Sequence, residues 1–267
     1  LKYRHSYLLC SGLLLLISSP SVYAAEEIVL YSMHFPPYSI DSRVAPSYEA
    51  DVGEDGFYGV DIEVIRAAYA SQEIEVTFKS APWKRMMRDV KAGLILGVVS
   101  CRPISARAPF SYFSDAVSYS TMVMATQKGH FGDQNSYPLE KLSFYKNIVM
   151  AGWAQEHILT RNNISYTVVN GINQGISLIL HRNQDVFMTD KESLLYVLDQ
   201  MDVKDQFSLY NIDNIDYTDY SVCFSKRYEQ SKRLRHALNQ GLQVLRESGK
   251  INTLYAKYGI TNPNVDP

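Results

Sequence analysis

"IEVTFKSAPWKRMMRDVKAGLILGVVS", residues 74–100, is the stretch on which the fold turns. It opens with "IEVTFKS", which reads as a strand. "WKRMMRDVKAG" follows as a helix, with Trp83, Met86, Met87 and Val90 on one stripe and Gly93 just past its end. "LILGVVS" then reads as a buried strand. A strand, a helix and a strand in succession make a unit that favours parallel pairing with the helix on one face.

Upstream, the same alternation is already under way. "EIVLYS" has the β-branched and aromatic character of a strand, and the prolines of "HFPPYSI" exclude a helix, so that segment should be extended. Residues 41–57 are polar, acidic and glycine-bearing, and read as a surface loop. A helix follows, with Asp61 as its expected cap and Ile62, Ile65 and Tyr69 at helical spacing. Between residues 145 and 200 the alternation starts afresh with "NIVMAG", "AQEHILT", "SYTVV", a helix carrying Ile172, Ile176, Ile179 and Leu180, then "DVFMTD" and "ESLLYVLDQ". Two alternations imply two α/β lobes. The chain closes on the strand pattern "DYSVCFSK" and on helices at 229–246 and 250–258, too few to bury a core of their own. They must therefore pack on one of the lobes.

The N-terminus carries Lys2, Arg4 and His5, then the apolar run "YLLCSGLLLLI", then small residues with Val22 and Ala24 in a cleavage-site pattern. That order reads as a secretory signal peptide over residues 1–24, cleaved after Ala24; the alternative is an uncleaved anchor. Cys10 lies at the start of the apolar run, where it does not suit lipid attachment. Without Lys2 and Arg4 the formal charge of −2 becomes −4. Mild acidity without a basic tract gives no support for nucleic-acid binding. Only Cys101 and Cys223 follow residue 24, and either a disulfide or two free thiols fits them. Their spacing does not suit a metal site. Neither a phosphate-binding glycine loop, a dinucleotide glycine signature nor a His-Glu-x-x-His motif occurs, and no cofactor or metal is expected. "SFYK" at 143–146 matches Ser-x-x-Lys, but the companion motifs of that chemistry are missing.

In open parallel sheets, ligands bind beyond the carboxyl ends of the strands. Two lobes face to face would form a cleft there, which directs attention to Phe35, Trp83, the segment from Ser100 to Arg107, and Asp190.

The order "FPPY", "GFYGVDIEVIRAA", "PWKRMMRDVKAG", Arg107 seven residues before Ser114 of "FSD", "DVFMTD" and "LRESGKINTLYAKYGI" resembles the family 3 bacterial extracellular solute-binding proteins. The resemblance spans nearly all of residues 26–260. It implies an α/β, two-lobed periplasmic binding protein-like fold of type II with two crossing hinge strands. Lobe one would be residues 26–120 and 219–267, and lobe two 121–218, with crossings near Ser118 to Thr121 and Tyr217 to Ser221. It implies a monomer in the periplasm that captures a small zwitterionic or anionic solute, an amino acid being expected, and hands it to an ABC permease.

Arg107 is the first candidate, because a guanidinium is a rigid fork of donors that grips a carboxylate in charge-assisted bonds. The resemblance assigns it the ligand α-carboxylate and assigns Asp190, five residues after Asp185, the ligand ammonium; Asp190 would equally cap the helix that follows. By the same resemblance Phe35 and Trp83 sandwich the ligand side chain, Trp83 having a place in the core as its other reading. Ser100 replaces the small residue whose backbone lies along the ligand in the family. Several departures stand out. "ISAR" replaces the family's Thr-x-Glu-Arg, and Arg102 stands where relatives have a carboxylate-binding threonine; a second cation points to an acidic or doubly anionic ligand, unless Arg102 faces outward or pairs with an acid of the other lobe. "AGWAQ" replaces a glycine-rich loop, with Gly152 and Ala154 offering backbone and Trp153 narrowing the site. The rival readings are an enzyme like the cyclohexadienyl dehydratases, with Glu156 and His157 as the nearest acid–base groups, and a soluble sensor of the same solute. We expect no catalytic activity.

Overall fold

The computed structural model describes residues 26–44, 52–215 and 217–263. The expected signal peptide lies outside the described residues. In chain order the elements are β1 (Glu26–Ser32), β2 (Ile40–Asp41), β3 (Phe57–Tyr58), α1 (Val60–Ala70), β4 (Ile74–Ser80), α2 (Trp83–Ala92), β5 (Gly97–Cys101), β6 (Ser111–Phe113) and β7 (Ser118–Gln127). They continue with β8 (Ser136–Tyr137), β9 (Asn147–Met150), α3 (Ala154–Arg161), β10 (Tyr166–Val169), α4 (Ile172–His181), β11 (Val186–Asp190), α5 (Lys191–Gln200) and β12 (Phe207–Ile212). The last are β13 (Tyr217–Ser225), α6 (Ser231–Glu247) and α7 (Lys250–Lys257).

The main sheet path runs β10-β9-β11-β7-β13-β5-β1-β4. At one end β4 and β5 pair parallel with β1, and at the other β10 and β11 pair parallel with β9. Each parallel group is a strand–helix–strand unit of the kind residues 74–100 announce. Where the groups meet, β7 and β13 run antiparallel, with Ser118 opposite Tyr220 and Thr121 opposite Tyr217. The chain therefore passes between the two groups twice, on adjacent strands.

Burial explains the elements. β11 is buried along its whole length, as suits a strand covered on both faces. In α2, Trp83, Met86 and Val90 are buried at helical spacing, and Gly93 closes the helix at φ 82°, a left-handed conformation that favours glycine. The last two helices dock on α1: a Cβ at Gly241 of α6 would sit 2.1 Å from the Ala68 carbonyl oxygen, so only glycine permits that approach. Tyr255 of α7 donates a 2.6 Å hydrogen bond to the Val117 carbonyl, immediately before β7.

Three local expectations change. "HFPPYSI" is not extended throughout but folds into a turn, in which the Tyr38 and Ser39 amides both donate to the Phe35 carbonyl at 3.0 and 2.9 Å and the Pro36–Pro37 peptide is cis. Asp61 does not cap α1; Gly59 precedes the helix without a side-chain cap, and Asp61 is fully buried in the first turn. "LILGVVS" forms strand only from Gly97; Leu94 is exposed just past the helix end, and Ile95 and Leu96 are buried ahead of the strand. The two cysteines are joined: Cys101 at the end of β5 bonds to Cys223 of β13.

Candidate functional site

Just before the carboxyl end of β5, where its pairing with β13 shifts register, the backbone of Ser100 is left-handed (φ 52°). That conformation is costly for a residue with a Cβ, and the Ser100 hydroxyl is anchored by donating to Asp61 Oδ2 at 2.7 Å. Burial pushes the Asp61 carboxyl up to about 7, against the hydrogen bonds it accepts. The next residue, Cys101, is tied to β13 by the disulfide, and Arg102 follows.

Arg102 and Arg107 enter one small cavity together with Phe35, Trp83, Ser100 and Asp190. All six sequence-predicted site residues thus line the same space. It measures about 20 Å3, room for roughly one water molecule, so the cleft is closed around its own side chains. Arg102, Arg107 and Asp190 are each at most 4% exposed.

The electrostatics are specific. Arg102 Nη2 makes a short ion pair with Asp190 Oδ1, and the Arg102 guanidinium lies 4.7 Å from the centre of the Tyr220 ring. Asp190 Oδ1 also accepts from Gln155 Nε2 at 2.9 Å, and Oδ2 accepts the Tyr220 hydroxyl at 2.6 Å. Asp190 precedes α5 and makes no side-chain cap, so its carboxylate is spent inside the cavity. Burial opposes the charge on Arg102, but Asp190 outweighs it and the guanidinium pKa rises. Arg107 is the opposite case: burial, then repulsion from Arg102, lowers it to about 10. It still carries its proton at neutral pH. Arg107 donates to the carbonyls of Arg102 at 2.8 Å and Gly152 at 3.1 Å, and stacks 5.0 Å from the Trp83 ring.

The wall is aromatic. Phe35 meets Trp153 edge-on at 4.8 Å and Tyr220 at 5.6 Å. Trp83 is both wall and core: it begins the buried stripe of α2, and its indole N–H donates to the Gly152 carbonyl at 2.9 Å. Gly152 has φ 78°, and a Cβ there would lie 3.2 Å from the Trp83 ring.

Sequence reasoning misses Gln155 and Tyr220. A signal is present for both: "AGWAQ" draws attention to Glu156 and His157, one and two positions too late. Along a helix each step turns the side chain by about 100°, so Gln155 enters the cavity while Glu156 turns back to accept the Gly152 amide. His157 lies outside the cavity lining, and burial followed by the charge of Arg107 lowers its pKa. Tyr220 sits on the expected second crossing. Among the described residues no cluster of three His, Cys, Asp or Glu could hold a metal ion.

Comparison with known proteins places this geometry. A model of the family described as "Bacterial extracellular solute-binding proteins, family 3" matches residues 33–261. No curated protein matches in sequence. Among solved structures, a histidine kinase sensor domain with similarity to periplasmic binding proteins has a TM-score of 0.75 at 16% identity, covering 90% of this chain and 99% of that one. The substrate-binding protein of an amino acid ABC transporter has a TM-score of 0.68 at 18% identity, covering 87% and 98%. An ABC uptake transporter substrate-binding protein from Streptococcus pneumoniae with bound histidine has 0.70 at 16%, covering 87% and 92%. The fold is the two-lobed α/β fold of type II periplasmic binding proteins, with two crossing strands.

Proposed function

The chain belongs to the bacterial extracellular solute-binding proteins, family 3, and from that premise we propose that it captures a small zwitterionic or anionic solute in the interlobe cleft and delivers it, in the periplasm, to an ABC importer. The observation that carries the reading is the pair of buried guanidinia, Arg102 and Arg107, in one closed cavity with an aromatic wall. A guanidinium in a dry site binds a carboxylate far better than one in water does, because few solvent molecules compete. The structural relatives named for amino acid transport or bound histidine agree with a ligand of amino acid size.

The mechanism proposed is hinge closure, which the connectivity supports. Lobe one is taken as residues 26–120 with 219–267, and lobe two as 121–218. The paired segments Ser118–Thr121 and Tyr217–Tyr220 support a hinge there. Contacts across the cleft support closure: Trp83 and Arg107 both donate to the Gly152 carbonyl, Arg102 pairs with Asp190, and the Tyr38 hydroxyl contacts Glu192 at 3.2 Å. Of the two acid–base candidates for an enzyme, Glu156 accepts the Gly152 amide, and neither it nor His157 lines the cavity. That favours binding over catalysis.

A second reading, a ligand sensor, is favoured by the sensor domain of a histidine kinase, 99% of which this chain covers. A thermal-shift screen over amino acids, hydroxy acids, diacids and amines tests the binding function. A ligand at about 100 times its Kd should add roughly 2.7 kcal/mol of stability. Arg107→Ala should abolish the shift, and an unchanged shift would remove Arg107 from the site.

A further inference from the structure

The charge of Asp190 is already paired with Arg102, and three of its acceptor positions are taken. Its Oδ1 receives Arg102 and Gln155 and its Oδ2 receives Tyr220, while the whole carboxylate is buried. The protein has supplied its own cation where a zwitterion would place one. The charged side chains lining the cavity are Arg102, Arg107 and Asp190, so the closed cavity carries one net positive charge. Tyr220 adds none, because burial holds its hydroxyl protonated.

The unpartnered polar atoms say what is missing. Arg102 Nε and Nη1 are buried without a hydrogen-bond partner, and so is Gln155 Oε1. These are two cationic donors and one neutral acceptor. Gln155 is fixed in that orientation, because its Nε2 must face the Asp190 carboxylate. Buried polar groups left without partners are costly, and a ligand that satisfies the guanidinium and the amide oxygen removes part of that cost. A carboxylate answers one of the free guanidinium donors, Nε–H and Nη1–H lying on opposite edges of the group, and a hydroxyl answers the amide oxygen. An ammonium in place of the hydroxyl would face a neutral oxygen with two guanidinia nearby, and the one carboxylate lining the cavity already has its charge paired with Arg102.

We propose that this cleft selects a small hydroxy-monocarboxylate over the amino acid of the same skeleton, with Arg102 gripping the carboxylate and Gln155 Oε1 accepting the hydroxyl. The proposal rests on the solute-binding reading above and narrows its ligand class. Arg107 then acts as a positioning residue, holding the Gly152 loop across the cleft and adding to the positive field.

The test uses the unaltered protein and matched pairs that differ only in hydroxyl against ammonium: glycolate and glycine, lactate and alanine, 2-hydroxyisocaproate and leucine, 3-phenyllactate and phenylalanine. Melting shifts select the pair of fitting size, and titration calorimetry gives both dissociation constants. The hydroxy acid is expected to bind at least tenfold more tightly. Equal binding, or tighter binding of the amino acid, overturns the proposal and leaves the solute-binding reading standing. No shift with any of these compounds, nor with the wider panel of amino acids, diacids and amines, overturns both.

Discussion

Replacing Arg102 by methionine would leave the Asp190 carboxylate buried without its cation. Asp190 is 1% exposed and would retain only the Tyr220 and Gln155 hydrogen bonds. Removing one partner of a buried pair costs about 3–5 kcal/mol, whereas replacing both by apolar residues of similar volume is nearly neutral. Arg102→Met should therefore lose about 3–5 kcal/mol, and Arg102→Met with Asp190→Leu should recover most of it. For chains of this size each kcal/mol corresponds to about 2–4 °C, so the single variant should melt roughly 6–20 °C lower. Urea denaturation followed by circular dichroism, with the disulfide kept oxidised, measures the cycle, and unchanged m-values would show that unfolding exposes the same surface. A single-variant loss below about 1 kcal/mol would mean a solvated pair. A double-variant loss equal to the sum of the two singles would mean that the pair is not coupled, and either result refutes the reasoning.

Three further outcomes follow from the geometry. Asp61 titrates near 7 in the fold against the 3.8 of an ordinary aspartate, so the folded protein holds the extra proton between those values and stability should fall as pH rises from about 4 to 7, by at most about 4 kcal/mol. Asp61→Asn should flatten that dependence, and an identical pH profile in melting experiments would contradict it. Reducing the Cys101–Cys223 bridge, which spans a sequence separation of 122, should cost about 2–5 kcal/mol, read as a shift in the urea midpoint on adding a phosphine reductant; an unmoved midpoint would count against it. Gly241→Ala should force α6 away from the Ala68 carbonyl and cost about 1–3 kcal/mol of overpacking, a loss that thermal melting would detect and that an unchanged Tm would exclude.

Much of the frame can be read from hydrophobic pattern alone. β1, β4, β9 and β11 with α1, α2, α4 and α5 announce themselves through period and punctuation, because each buries a face that its own residues define. Less visible are β7 and β12, which pair antiparallel over Val123 to Gln127; their partner lies some eighty residues away, so no local pattern marks it. The "FPPY" turn is hidden for another reason: prolines exclude a helix without choosing between extended chain and turn, and hydrogen bonds to the Phe35 carbonyl make the choice. Asp61 reads as a cap because caps are short and polar, yet Ser100 arriving from β5 draws it inward. The site shows the same division. Arg102, Arg107 and Asp190 can be singled out by position, but the network around the Arg102–Asp190 pair also takes in Gln155 and Tyr220, contributed by elements distant in sequence.

The most direct test is a crystal structure with the best hydroxy acid from the matched pairs bound at saturation. The account predicts its carboxylate within hydrogen-bond distance of Arg102, its hydroxyl on Gln155 Oε1, and the Arg102–Asp190 pair intact. A ligand outside the cleft, or an amino acid whose nitrogen has displaced Arg102 from Asp190, would contradict it.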